Sequence, residues 1–170
     1  TSAALACVTV VLALMLRAAA NMLNDHADAI NGADAANTQG LYPFTGGSRM
    51  VQTGQVDAQD MHRVAWILLT LVAVAGVWLA ARTGWALLAL GLAGIALGWV
   101  YSMPPLALMA RGLGEVAVGL AWGLEVVGAD YVQRGQFSLQ AAAVAAGFAA
   151  LVANILIGNG FPDAPSDAAV

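Results

Sequence analysis

Two clusters of carboxylate and amide side chains stand out in a chain that carries few charges. The first cluster comprises Asn21, Asn24, Asp25 and Asp28, and the second comprises Asn159, Asp163 and Asp167. On a helix, positions i, i+4 and i+7 share one face, as do positions i, i+4 and i+8. Carboxylates crowded together in a low dielectric repel one another unless cations neutralise them, and oxygen donors that meet phosphates suit Mg²⁺. The spacing therefore predicts one polyanion site held through Mg²⁺.

Each cluster taken alone has a simpler interpretation. A helix end that emerges into water also carries ordinary surface acids, and this alternative has about even weight for either cluster. The presence of both, each with an asparagine four residues before an aspartate, favours a shared site. Pro162 and Pro165 predict a bend or an end of the helix within the second cluster. His26 lies about 100° from Asp25 around the helix, so a local polar role is preferred to a ligand role.

The elements that position these clusters are membrane-spanning helices. Apolar residues make up 61% of the chain and charged residues only 9%, whereas about a quarter of the residues of a soluble domain are charged. The mean hydropathy is +0.78. Five segments meet the criterion of about 20 mainly apolar residues needed to cross a bilayer. They lie near 2–24, 64–82, 84–102, 113–133 and 138–160. An all-α, multi-pass bundle is expected, and the net charge of −4 argues against nucleic-acid binding.

The longest polar stretch, residues 29–62, connects the first two spans. A connection of this length in a compact membrane protein is often functional, and we expect an extramembrane loop over the active site. Arg49, which follows Gly46 and Gly47, is suited to meet an anion. The alternative is a solvated loop with a turn at the two glycines.

Taken together, the motifs resemble those of the UbiA superfamily of intramembrane prenyltransferases. The matching elements, in chain order, are Asn21-x-x-Asn24-Asp25-x-x-Asp28, Tyr101-Ser102-x-Pro104-Pro105, Gly112-Leu113-Gly114-Glu115 and Asn159-x-x-x-Asp163-x-x-x-Asp167. Four ordered motifs over nearly the whole chain make the resemblance specific. The second, third and Phe161-Pro162-Asp163 elements are most similar to the branch that contains 1,4-dihydroxy-2-naphthoate polyprenyltransferase.

The resemblance implies a nine-helix bundle, of which residues 1–170 supply about five helices as a single transmembrane domain, incomplete at both ends. It implies that the catalytic and Mg²⁺-binding residues are Asp25, Asp28, Asp163 and Asp167. It implies that the substrate-binding residues are Asn21, Asn24, Asn159, Arg49 and Tyr101. The family often carries an acid four residues beyond Asp28. This chain has Gly32 there and Asp34 two residues later, which leaves the role of Asp34 open.

The implied activity is transfer of a polyprenyl group from polyprenyl diphosphate to an aromatic acceptor in menaquinone-type quinone biosynthesis, with Mg²⁺ as cofactor. The implied location is the inner or plasma membrane of a prokaryote. Arginines on the motif side (Arg49, Arg63 and Arg111) outnumber those on the other side (Arg82 and Arg134), which favours a cytoplasmic active site. A divalent-cation channel or transporter, or a non-catalytic fragment, are the alternatives.

Some residues fit two roles. Tyr101, Trp99 and Trp122 suit either cation–π stabilisation of positive charge or interfacial anchoring and packing. Arg17, a helical turn before Asn21, suits pairing with either an acid or a phosphate.

Overall fold

The protein is a bundle of five long helices. The computed structural model describes residues 2–31, 50–51 and 53–167, and only the backbone of residues 28, 31, 159, 160 and 162–167. The helices are α1 (Ala3–Asn31), α2 (Ala58–Thr83), α3 (Ala86–Ser102), a short 3₁₀ helix (Leu108–Arg111), α4 (Gly114–Arg134) and α5 (Leu139–Asp167). Because these ranges contain no strand, the expected all-α class is confirmed.

Local sequence signals explain where the helices begin and end. The Asp57 carboxylate accepts a 2.7 Å hydrogen bond from the Gln59 backbone N–H and caps α2. Gly135, with φ of 70°, ends α4 in the left-handed conformation that glycine adopts without strain. The Ser138 hydroxyl accepts a 3.0 Å bond from the Ala141 N–H at the start of α5. The helix α3 ends just before Pro104, as helices usually do ahead of proline.

Helix length and composition place the bundle in a membrane. Three segments are long and apolar enough to cross a bilayer, namely Ala3–Ala27, Ala58–Thr83 and Leu139–Gly158. The helix α3 is apolar but has only 17 residues. The helix α4 is present at the predicted place and carries charged residues along its length, with Glu115 in its first turn and Arg134 in its last. The protein is an integral membrane protein.

The bundle has two distinct ends. At one end, the backbone N–H of Ser2 donates a 2.9 Å bond to the Gln133 side chain, and the turn at Gly84 meets Tyr131. The helices alternate in direction, so the last turns of α1, α3 and α5 and the first turns of α2 and α4 lie at the other end. We call this second end the motif end, because it contains the residues of both predicted clusters.

Small residues bring the helices close together. Ala19 and Leu23 of α1 pack against Ala65 and Leu69 of α2 in the buried core. On α4, a Cβ atom added at Gly119 would lie 3.2 Å from the Ala149 carbonyl oxygen of α5. The backbones of α4 and α5 therefore lie close together at this position. A Cβ atom added at Gly91 or Gly94 of α3 would have no atom of another element within 4 Å in the described part of the chain, so these two glycines do not mark a close contact between helices.

Candidate active site

The first cluster lies on the last three turns of α1. This helix remains regular through Asn31, so Asn21, Asn24 and Asp25 have the helical spacing that the sequence predicts. Asn21 is exposed, whereas Asn24 and Asp25 are partly buried. Asp28 belongs to the same helix, and its side chain lies outside the described residues. The last turns of α1 therefore carry amide and carboxylate oxygens at the motif end, partly covered by the neighbouring helices.

The amide of Asn24 links this cluster to the connection between α3 and α4. Its Nδ2 atom donates to the Met109 sulfur at 3.4 Å, a weak hydrogen bond to the 3₁₀ helix. Met109 packs beside Gly114, the first residue of α4, where an added Cβ would lie 3.4 Å from the Met109 Cα and 3.5 Å from the Tyr101 ring. The Tyr-Ser-x-Pro-Pro and Gly-Leu-Gly-Glu motifs therefore meet next to the first cluster, and glycine at position 114 allows the close approach.

The second cluster lies on the last turns of α5, at the same end of the bundle. Helical backbone continues through Pro162 and Pro165 to Asp167, so the predicted end of the helix at these prolines does not occur. The side chains of Asn159, Asp163 and Asp167 lie outside the described residues. Leu156, one turn before Asn159, approaches Gly114.

Within the described ranges, α1 and α5 do not contact each other. Both helices pack on α4, which lies between them. The first turn of α4 consequently lies between the two helices that carry the clusters. On the α1 side, Asn24 donates a hydrogen bond to Met109, which packs beside Gly114, and on the α5 side Leu156 packs near Gly114. Both clusters belong to the motif end, on two helices that each pack on α4. Arg49 and Asp34 lie outside the described residues.

Arg17 is paired with an acid. Its guanidinium forms an ion pair with Glu125 of α4 and lies 3.1 Å from the centre of the Trp122 ring. Sequence analysis left open whether Arg17 pairs with an acid or a phosphate, and whether Trp122 meets a cation. In the structure, Arg17 pairs with the acid Glu125, and the cation that Trp122 contacts is Arg17. The ion pair between Arg17 and Glu125 fixes α1 to α4 about two turns before Asn24.

Two functional candidates were missed from sequence. His26 and His62 stack with ring centroids 4.5 Å apart and an interplanar angle of 17°. The sequence favours a local polar role for His26 on α1, and His62 lies on another helix, α2. They are the only two histidines of the chain, but no spacing rule relates residues across a long connection. The packing of α1 against α2 brings the two rings together.

An apolar groove of about 490 Å³ runs alongside the first cluster, between α1, α2 and α3. Leu23, the residue before Asn24, lines it, as do Trp66 and Trp99, whose rings lie 5.5 Å apart. Small residues, among them Ala20 and Gly98, form part of its wall. The apolar groove therefore begins at the residue next to the polar cluster. An amphiphilic ligand needs such an arrangement, with an apolar surface beside a polar one.

The donor chemistry of the first cluster fits a hard divalent cation. Asn21, Asn24 and Asp25 offer amide and carboxylate oxygens, which Mg²⁺ prefers when phosphate completes its shell. Among the side chains that the structure describes, no three His, Cys, Asp or Glu residues gather into a ligand set. Asp28, Asp163 and Asp167 are not among those side chains, so the full predicted set of carboxylates is not observed together.

The fold and this end of the bundle define an all-helical integral membrane protein with a cluster of amide and carboxylate side chains beside an apolar groove. The sequence model of the UbiA prenyltransferase family matches residues 1–170, the whole chain. The protein belongs to the UbiA prenyltransferase family, whose members transfer prenyl groups within membranes. Neither the curated proteins nor the solved structures that were compared include a match. Family membership favours an enzyme over the channel or transporter alternative.

Proposed function

We propose that this protein transfers a polyprenyl group from polyprenyl diphosphate to an aromatic acceptor of menaquinone-type quinone biosynthesis, in a Mg²⁺-dependent reaction. One observation carries the proposal: the last turns of α1 and α5, which contain the two aspartate clusters, lie at the same end of the bundle. This placement, together with family membership, supports a diphosphate site between α1 and α5. The choice of the naphthoate branch rests on the sequence resemblance of the Tyr101-Ser102-x-Pro104-Pro105 motif.

The residues of α1 bind the head of the donor. Asp25 and Asp28 from α1, together with Asp163 and Asp167 from α5, would hold Mg²⁺, and the asparagines Asn21, Asn24 and Asn159 add amide groups that bind phosphate oxygens. Mg²⁺, when bound to these carboxylates, neutralises the negative charge of the diphosphate leaving group. Arg49, from the connection between α1 and α2, adds a further positive charge at the same anion.

The groove between α1, α2 and α3 receives the polyprenyl tail. Its lining from Leu23 to Trp66 is apolar and begins next to Asn24. A tail held there leaves the allylic C1 atom of the donor at the cluster. The C1–O bond breaks with its electron pair on the diphosphate, and an electron-rich ring carbon of the acceptor forms the new C–C bond. That ring carbon then loses its former substituent, as a proton or as carbon dioxide from a carboxylate, and the ring regains its aromaticity. Tyr101 and the Trp66–Trp99 pair keep water away from the cationic carbon and offer π-electrons to it.

The active site is proposed to face the cytoplasm of a prokaryote. In the structure, Arg63 and Arg111 lie at the motif end, and Arg82 and Arg134 lie at the opposite end. The described arginines are therefore balanced, and the proposal depends on Arg49, which follows α1 from the motif end. With Arg49 counted, the motif end has one arginine more than the opposite end, and the positive-inside rule places the side with more positive charge in the cytoplasm.

The test is a prenyl-transfer assay with the full-length protein in detergent. Several prenyl diphosphates are offered with 1,4-dihydroxy-2-naphthoate or 4-hydroxybenzoate, with and without Mg²⁺. Asp25→Ala and Asp163→Ala are each expected to lower kcat/KM by about 10²-fold or more, because each removes a carboxylate that stabilises the leaving group. Asp60→Ala is the matched control, since this acid lies at the same end but pairs with Arg63 on an exposed face of α2. Undiminished transfer by either site variant would contradict the shared site.

A further inference from the structure

The two histidines form a defined connection between α1 and α2. The Nδ1 atom of His26 lies 2.9 Å from the Ala58 carbonyl oxygen. A carbonyl oxygen only accepts, so Nδ1 carries the proton and donates it. The indole N–H of Trp66 donates a 3.0 Å bond to Nε2 of His62, so the proton of His62 lies on Nδ1. Each ring orientation is thus set by a hydrogen bond, and the rings stack in those orientations.

This connection lies at the point where the packing of α1 against α2 ends. Leu23 is the last α1 residue in their buried core cluster. His26 follows three residues later and reaches Ala58, the first residue of α2. The segment of α1 between Leu23 and His26 contains Asn24 and Asp25. The two proposed ligands of the donor head therefore lie between a buried apolar anchor and the hydrogen-bonded histidine.

A small rotation of this segment would displace the ligands considerably. The side chains of a helix extend to about 5–6 Å from its axis. Rotation by about 10° moves a carboxylate at that radius by about 1 Å, and a displacement of that size can lower a reaction rate about 10²-fold. The Arg17 ion pair holds α1 on α4, but it lies nine residues before His26, about 13 Å along the helix. Control of the rotation at Asp25 therefore depends on contacts closer to it.

We infer that His26 is a positioning residue, which fixes the rotation of the last turns of α1 so that Asn24 and Asp25 meet the diphosphate of the donor. The inference rests on the proposed function of the same site. His26 acts through its hydrogen bond to the Ala58 carbonyl, and His62 supports the imidazole ring from α2. Neither ring contacts the reacting atoms in this role.

The experiment compares two substitutions of His26 in the full-length protein. His26→Phe keeps an aromatic ring for stacking on His62 and removes the N–H donor. His26→Asn places an amide N–H near the former Nδ1 position and removes the ring. We expect His26→Phe to raise the donor KM and the Mg²⁺ concentration for half-maximal activity about tenfold or more. The KM of the acceptor is expected to stay within twofold. We expect His26→Asn to restore both donor constants to within about threefold of wild type.

The controls separate positioning from folding. Arg63→Ala, one residue beyond His62, removes an exposed ion pair with Asp60 and is expected to change no constant more than twofold. If His26→Phe does not fold, His62→Ala removes the stacking partner from the other helix and is expected to raise the donor KM about threefold. A loss of folded protein with an unchanged donor KM would show a structural role only. Equal constants for the Phe and Asn variants would overturn the role of the hydrogen bond.

A binding measurement separates the failure of this inference from failure of the proposed function. Calorimetry with geranylgeranyl thiolodiphosphate and Mg²⁺ measures donor binding without turnover. If the wild type binds this donor analogue but transfers no prenyl group, the proposed function fails, and the His26→Phe and His26→Asn affinities still decide the positioning role. If the wild type does not bind it, both proposals are contradicted.

Discussion

Replacement of Gly119 by alanine is expected to destabilise the contact between α4 and α5. The new Cβ would lie 3.2 Å from the Ala149 carbonyl oxygen and 3.7 Å from its carbon. Because the neighbour is backbone, it cannot rotate away, and the two helices must separate by a few tenths of an ångström. Such overpacking costs about 1–3 kcal/mol. The gain in helix propensity from glycine to alanine offsets about 1 kcal/mol of this cost.

Gly147→Ala is the matched control for this substitution. Gly147 lies on α5 and has no atom within 4 Å of an added Cβ in the described part of the chain. This variant receives the same gain in helix propensity without the overpacking. The difference in unfolding free energy between the two variants is therefore about 1–3 kcal/mol, in favour of Gly147→Ala. For a chain of this size, 1 kcal/mol corresponds to about 2–4 °C in Tm.

The measurement is thermal unfolding of the detergent-solubilised protein, followed by the fluorescence of its five tryptophans. We expect Gly119→Ala to unfold at least about 2 °C below Gly147→Ala. Gly119→Leu should widen the difference, because the larger side chain meets the same backbone. If Gly119→Ala and Gly147→Ala unfold at the same temperature, α4 and α5 are not in close contact at this position, and the packing argument is refuted.

Two further predictions concern polar groups inside the bundle. Arg17→Gln and Glu125→Gln should each lower stability, and the double variant should lose about 1 kcal/mol less than the sum of the two, because the pair is 32% and 33% exposed and partly screened. Additive losses in this double-mutant cycle would contradict the ion pair. Ser102→Ala should raise the unfolding free energy by about 1 kcal/mol, because the buried hydroxyl has no hydrogen-bond partner among the described residues. A decrease measured by thermal unfolding would show that the hydroxyl has one.

The helices could be predicted from the sequence, but their ends depended on signals other than hydrophobicity. The first predicted span stopped at residue 24, where the apolar run stops, whereas α1 continues to Asn31 because glycine and proline are absent before Gly32. The helix α2 begins at Ala58, before the predicted span at residue 64, because Asp57 caps it. An apolar window locates the part of a helix inside the membrane and misses its polar extensions.

The pairing of helices was not predictable from the sequence. Glycine patterns on α3 and α4 look alike, yet only the α4 pattern meets a neighbouring helix closely. A helix that is apolar on all sides carries no periodicity that distinguishes its packed face from its lipid face. Spacing relates residues within one helix, so it predicted that Asn21 and Asp25 share a face of α1. It does not relate residues on different helices, so the partners of Arg17 and His26 emerged only from the three-dimensional arrangement.

The shortness of α3 determines how deep the motif end lies in the bilayer. Its 17 residues rise about 25 Å, which is less than the hydrocarbon thickness of about 30 Å. The 26 residues of α2 rise about 39 Å. Since α3 starts directly after α2 ends, Ser102 and the 3₁₀ helix lie deeper than the first turn of α2, and irregular backbone at such a depth must be covered by protein or line a cavity. For the proposed prenyl donor, this depth would place the polar head below the level of the surrounding lipid headgroups.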